Sequence, residues 1–91
     1  MATHTIVTLS STTPTRLSPQ ATHSGAEVIL QNISTNGYVY VGGPNVSSTN
    51  YGYRVDEDSA FGGNVPSKEE MWAIAQNNGT QIAVYTSGLV I

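Results

Sequence analysis

The segment at residues 27–43, EVILQNISTNGYVYVGG, constrains the possible fold more than any other part of the chain. Its first half alternates in the manner of a pleated strand, with Val28, Leu30 and Asn32 on one face and Ile29, Gln31 and Ile33 on the other. A Thr-Asn-Gly turn at residues 35–37 follows, and β-branched and aromatic residues at 38–41 indicate a return strand. The segment therefore predicts a β-hairpin. It carries no acid, base or thiol beyond Glu27, which is typical of a scaffold.

Further strand patterns recur at short spacing along the chain. They lie at residues 5–10, 51–55, 71–76 and 81–86, and the last two flank an Asn-Asn-Gly-Thr turn that predicts a second hairpin. No internal repeat accompanies them. The sequence predicts an all-β fold, namely a small antiparallel β-sandwich or barrel of about six to eight short strands.

The two ends of the chain differ in character. Residues 1–19 are polar and carry Pro14 and Pro19, which predicts an N-terminal strand followed by an edge strand or an extended arm that orders on a neighbouring subunit. Residues 20–91 are expected to form the β-sandwich domain. The apolar end at residues 88–91, GLVI, is expected to dock into the protein's own sheet or into a partner subunit.

The segment at residues 67–77 fits two structures. Ser67 and Glu70 have the spacing of a helix capping box, which indicates a short helix over 68–77. Against a helix, the apolar part has the length of a strand and is bounded by Pro66 and the Asn-Asn-Gly turn. We therefore predict a strand and keep the helix as the alternative.

Composition excludes several classes of function. Only 10% of the residues are charged, against roughly 25% in typical soluble domains, and the net charge is −3. The three cations Arg16, Arg54 and Lys68 are scattered, which argues against nucleic-acid binding. Cysteine is absent, so neither disulfides nor thiolate chemistry can occur. No apolar run approaches the roughly 20 residues of a membrane span, and the N-terminal residues lack the features of a signal peptide.

No set of residues has the spacing of a catalytic or metal-binding site. The acidic run Asp56-Glu57-Asp58 lacks the later ligands and glycine of a calcium loop and predicts a solvated turn. His4 and His23 are too far apart for a zinc pair and are expected to be exposed or in subunit contacts. Glu69 and Glu70 are expected on opposite strand faces, no nucleophile elbow is present, and Gly42-Gly43-Pro44 lacks the lysine of a phosphate loop. We expect no enzymatic activity and no catalytic, cofactor-binding or metal-binding residue.

The aromatic residues can be assigned two roles. They could stack on sugar rings, or they could fill cross-strand positions of a small sandwich, and packing is favoured. They are Tyr38, Tyr40, Tyr51, Tyr53 and Trp72. The N-glycosylation sequons at Asn32, Asn45 and Asn78 arise readily in a chain rich in Ser and Thr, so we interpret them as incidental.

The order of several segments resembles a small β-domain of tailed-bacteriophage virion proteins. The segments are QNIS, GYVYVGGPNV, NYGYRV and MWAIAQNNGTQIAVYTSGL, which together fall within residues 27–89. The acidic turn at 56–58 and the insertion at 67–70 depart from the Pro-Gly turn usual in that family.

The resemblance implies a head-decoration or minor capsid protein with no catalytic residues. Its expected partner is the major capsid protein, its expected location is the capsid surface of a virion after synthesis in the host cytoplasm, and it is expected to form a homo-oligomer, with a trimer favoured. The alternative is a tail- or fibre-associated module that binds host-surface glycan through several tyrosines on one exposed groove.

Overall fold

The computed structural model describes residues 2–18, 24–35, 37–66 and 68–90. These residues form eight strands and no helix, which confirms the predicted all-β class. The strands are β1 (Thr3–Thr8), β2 (Thr15–Arg16), β3 (Gly25–Asn32), β4 (Val39–Gly42), β5 (Tyr53–Val55), β6 (Ala60–Pro66), β7 (Trp72–Ala75) and β8 (Gln81–Val90). They make two antiparallel sheets, sheet A in the order β1-β8-β3-β6 and sheet B in the order β2-β7-β4-β5.

The two sheets pack face to face around one main core. Burial along β3 alternates as predicted, so Val28, Leu30 and Asn32 point inward while Ile29 and Gln31 are exposed. The core combines residues of both sheets and of the connections between them: Leu9, Leu17, Val28, Leu30, Val39, Val41, Val55, Val65, Ala73, Ala75, Ile82 and Val84. The architecture is therefore that of a small β-sandwich.

The predicted hairpin at residues 27–43 is wrong. β3 pairs with β6 and β8 in sheet A, whereas β4 pairs with β5 and β7 in sheet B, so the chain crosses between the sheets after β3. Asn32 stabilises this crossing from inside the core. Its Nδ2 donates to the carbonyl oxygens of Gly37 at 2.9 Å and Val55 at 3.3 Å, and its Oδ1 accepts from the Ser34 N–H at 3.1 Å. Asn36 of the predicted turn lies outside the described residues.

The second predicted hairpin, around residues 77–80, is also a crossing between sheets. β7 belongs to sheet B and β8 to sheet A, and Gly79 supplies a positive φ of 87° between them. The connection from β1 to β2 runs alongside: the Leu9 N–H donates to the Thr80 carbonyl at 2.8 Å, and the Gly79 N–H donates to the Leu9 carbonyl at 3.0 Å. An Asn-Gly turn therefore tells where a strand ends but not which sheet the chain enters next.

The strands predicted at residues 5–10, 51–55, 71–76 and 81–86 overlap the observed strands β1, β5, β7 and β8. β7 at Trp72–Ala75 confirms the strand over the short helix, and Ser67 of the capping-box pattern lies outside the described residues. The segment interpreted as an arm contributes β1 and the short edge strand β2 to the two sheets, so its described residues pair within their own chain. The division of the chain into residues 1–19 and 20–91 stays a prediction. β8 runs to Val90, which lies opposite Gly25 of β3, and Ile91 is outside the described residues.

We predict that Asn32→Ala lowers the free energy of unfolding by about 3 kcal/mol, because the buried Val55 carbonyl and the partly buried Gly37 carbonyl lose their donor. Urea unfolding followed by circular dichroism measures the change. Asn45→Ala is the matched control, since Asn45 is exposed, and it is expected to change stability by less than about 0.5 kcal/mol. Equal effects of the two substitutions would contradict a role for Asn32 in holding the crossing.

Candidate interaction surface

The outer face of sheet A carries an exposed apolar surface, which we call the outer apolar patch. Ile6 of β1, Ile29 of β3 and Tyr85 of β8 are 61%, 47% and 42% exposed, and β8 lies between β1 and β3. Scattered apolar residues are normal on protein surfaces, whereas apolar residues grouped on adjacent strands are candidates for an interaction site. The patch therefore is the candidate functional surface of this chain.

The strand register explains the shape of the patch. Tyr85 lies between His4 of β1 and Ile29 of β3, and Ala83 lies between Ile6 and Gln31. Because the Ala83 side chain is one methyl group among much larger neighbours, a depression of about 330 Å³ opens above it. Its rim includes His4, Ile6, Ile29, Gln31 and Tyr85. The depression has the size of a site that accepts one or two side chains of a partner.

The outer apolar patch is nearly free of charge. Glu27 is the one acid on this face, and its cross-strand neighbours are Asn64 and Ser87. The acidic turn at 56–58 connects β5 of sheet B to β6 of sheet A, and Glu70 lies in the connection from β6 to β7. None of these acids lines the depression in the patch. A partner that docks on the patch therefore loses little charge hydration.

Four of the five aromatic residues considered for a sugar-binding groove gather in one cluster on the outer face of sheet B. Tyr40 is buried on the outer face of sheet B with Val46 and Ile74, and Tyr38 and Trp72 pack against this second cluster. The Tyr51 ring lies over Tyr40 with a centroid distance of 4.8 Å. The cluster therefore holds the loop at residues 43–52 on sheet B. These contacts are those of packing residues.

Tyr53 instead lies at the edge of the sandwich where the edge strands β5 and β6 are located. Its ring stacks on Phe61 of β6 with a centroid distance of 4.3 Å, so the pair joins the edge strands of the two sheets. A shallow groove of about 500 Å³ lies beside the stack and is lined mainly by apolar residues, including Val65 and Met71, with Glu69 and Glu70 among its polar lining. Tyr53 lines this groove, whereas Tyr51 lines a different depression, beside Pro44 and Val46.

The charged residues singled out in the sequence make local contacts. In the exposed acidic turn, the Asp56 Oδ1 accepts from the Arg54 Nε at 3.0 Å, and the Glu57 Oε2 accepts from the Gly37 N–H at 3.1 Å. Asp58 adopts a positive φ of 58°. Glu70 accepts from the Trp72 Nε1 at 3.2 Å and lies 3.9 Å from Arg16. The acidic turn is thus held by hydrogen bonds to Arg54 of β5, to Gly37 before β4 and to the carbonyl of Asn32 at the end of β3.

In the described part of the chain, no three His, Cys, Asp or Glu side chains gather closely enough to hold a metal ion. His4 is exposed beside Tyr85 on the outer apolar patch, and His23 lies outside the described residues. Of the sequon asparagines, Asn32 is fully buried, whereas Asn78 accepts from the Ser11 N–H at 3.0 Å.

The outer apolar patch is the feature that sequence reasoning missed. The sequence does show apolar residues at positions that face away from the core, such as Ile29 between Val28 and Leu30. These apolar residues can be recognised as one surface only when β1, β8 and β3 are known to be neighbours.

Comparison with protein-family models, with curated proteins and with solved structures yields no match. The described residues contain no helix with the length and hydropathy to cross a membrane.

We predict that Tyr40→Ala lowers the free energy of unfolding by about 3 kcal/mol, because it removes the centre of the second cluster. Trypsin cannot cleave within the loop at residues 43–52, because the loop contains no Lys or Arg. Thermolysin is therefore used, and its cleavage within this loop should become faster in the variant. Tyr53→Ala is the control, since Tyr53 is 47% exposed, and it should cost about 1 kcal/mol without loosening the loop. Unchanged stability of Tyr40→Ala would contradict the packing role.

Proposed function

We propose that this chain is a non-enzymatic structural protein of a tailed-phage virion, a capsid decoration (cement) or minor capsid protein that binds the head shell and stabilises it. Its partner is the major capsid protein, its location is the capsid surface, and it acts as a homo-oligomer, for which the resemblance implies a trimer. The observation that carries the proposal is the outer apolar patch, an exposed surface of Ile6, Ile29 and Tyr85 on a rigid sheet.

The physical demands of a cement protein match the features of this chain. Such a protein strengthens a shell by burying surface against it, so it needs a rigid scaffold and an exposed apolar area. The sandwich supplies the scaffold through its core, and the patch supplies the area. The exposed carboxylates Asp56 and Glu57 bind an arginine and a backbone amide of the same chain. These contacts suit turn formation and support a structural role.

The resemblance to virion β-domains adds the choice of partner. It rests on segments within residues 27–89, which span β3 to β8. The Asn-Gly turns that contribute to it lie at crossings between the two sheets, so the resemblance follows the order of strands along the chain and not two local hairpins. The partner assignment therefore depends on that order.

Sedimentation with purified particles tests the proposal. The protein is mixed with empty capsids and, separately, with purified tails of the phage that encodes it, and each mixture is pelleted beside a particle-free control. We expect saturable binding to capsids only, together with a higher temperature of shell disruption, because the bound protein stabilises the shell by mass action. Binding to tails alone would replace this proposal with the tail-associated alternative, and a glycan array would then test sugar recognition.

A further inference from the structure

We propose that Asn78 is a modification site, at which the side-chain amide is lost by deamidation when the contact between the β7–β8 crossing and the β1–β2 connection opens. While that contact is closed, it holds the site unreactive. The inference goes beyond the proposed function and does not depend on it. It is carried by the Asn78-Gly79 sequence, by the hydrogen bonds that hold both reacting groups, and by the burial of the residues beside them.

The reaction joins two groups that are adjacent in the chain. The backbone nitrogen of Gly79 attacks the side-chain carbonyl carbon, Cγ, of Asn78. A C–N bond forms, the bond from Cγ to Nδ2 breaks, and ammonia leaves with the proton of the Gly79 N–H. Water then opens the resulting succinimide ring at either carbonyl and gives aspartate or isoaspartate. Glycine favours the attack because it has no side chain to obstruct it, and both residues are exposed to water.

Both reacting groups are held by the same short segment of the β1–β2 connection. The Gly79 N–H, which must lose its proton, donates to the Leu9 carbonyl at 3.0 Å. The Asn78 Oδ1 accepts from the Ser11 N–H at 3.0 Å. The first bond keeps the attacking nitrogen protonated, and the second keeps the Asn78 side chain directed towards Ser11. Deamidation therefore requires that this contact opens first.

The contact is placed where it can open without unfolding of the sandwich. Ser11, Asn78 and Gly79 all lie outside the strands, in the connections between β1 and β2 and between β7 and β8. The hydrogen bond between Ser11 and Asn78 is exposed. Connections that are held by exposed hydrogen bonds open at a lower free energy than strands in the core. The open state is therefore reached from the folded protein.

The isoaspartate product does not fit the closed contact. In isoaspartate the main chain passes through the former side-chain carbon, so an extra carbon atom enters the backbone just before Gly79. On its other side, Thr80 is 1% exposed and its carbonyl accepts from the N–H of Leu9, which is 2% exposed. The longer backbone must displace either Gly79 or the buried Thr80, and each of them is hydrogen bonded to Leu9. We therefore expect the modification to leave the two connections loosened.

Tryptic digestion and mass spectrometry of the purified full chain, incubated in mildly alkaline buffer, test the inference. The tryptic peptide 69–91 contains Asn78 but not the other Asn-Gly pair, at residues 36–37. We expect Asn78 to deamidate at least about tenfold more slowly in the folded protein than in urea above the unfolding transition, because only the open state reacts. Equal rates, or an Asn78 that stays unmodified in the unfolded chain, would overturn the inference.

Two proline substitutions in the β1–β2 connection test the hydrogen bond itself. Ser11→Pro removes the N–H that the Asn78 side chain accepts, and it should speed deamidation of Asn78 in the folded protein at least about threefold. Thr12→Pro is the matched control: the Thr12 N–H donates to the Ser10 Oγ within the connection, so the rate at Asn78 should stay that of the unsubstituted protein.

Circular dichroism and urea unfolding show whether each proline variant is folded, and the comparison of folded and unfolded wild-type chains depends on neither variant. Equal acceleration by the two prolines would overturn the role of the Ser11 contact. The isoaspartate form, separated by chromatography, should unfold at a lower urea concentration than the unmodified protein. An unchanged urea midpoint would overturn the loosening of the connections.

Discussion

The packing of the two inner sheet faces is the interaction on which the rest of the structure depends. Few other sources of stability are present, since the chain has no cysteine and only 10% charged residues. The Arg54–Asp56 ion pair is exposed, and such pairs contribute little. The core is built from aliphatic residues, such as Val28 and Leu30 facing sheet B and Val39 and Ala73 facing sheet A. Each outer surface keeps its position because this contact holds the sheets together.

The parts of the fold that could be predicted from the sequence are those determined by residues close together in the chain. The period-two pattern identified which residues of β3 are buried, because successive side chains of a strand point to opposite faces. The apolar length of the run ending at Ala75 favoured a strand over a helix, as the structure has it. Both inferences needed only a few neighbouring residues.

The parts that sequence could not predict depend on residues far apart in the chain. Turn residues such as Gly79 permit a reversal, yet the same backbone conformation serves a hairpin and a crossing between sheets. The pairing of β3 with β8 decides the outcome, and it joins residues that are 50 to 65 positions apart in the chain. The outer apolar patch escaped prediction for the same reason, since Ile6, Ile29 and Tyr85 become neighbours only through these pairings. The identity of a partner rests on resemblance, because shape and charge define a surface and not its ligand.

The position of β8 has a consequence for how the protein is made. β8 lies between β1 and β3 in sheet A, although it follows both of them in the chain. Until residues 81–90 leave the ribosome, β1 and β3 lack their shared neighbour and sheet A cannot be completed. Folding therefore waits for the end of synthesis of this segment and requires closure of long loops, which makes it slow for a chain of this size. During that wait, the apolar residues of β3 are exposed to other nascent chains and to chaperones.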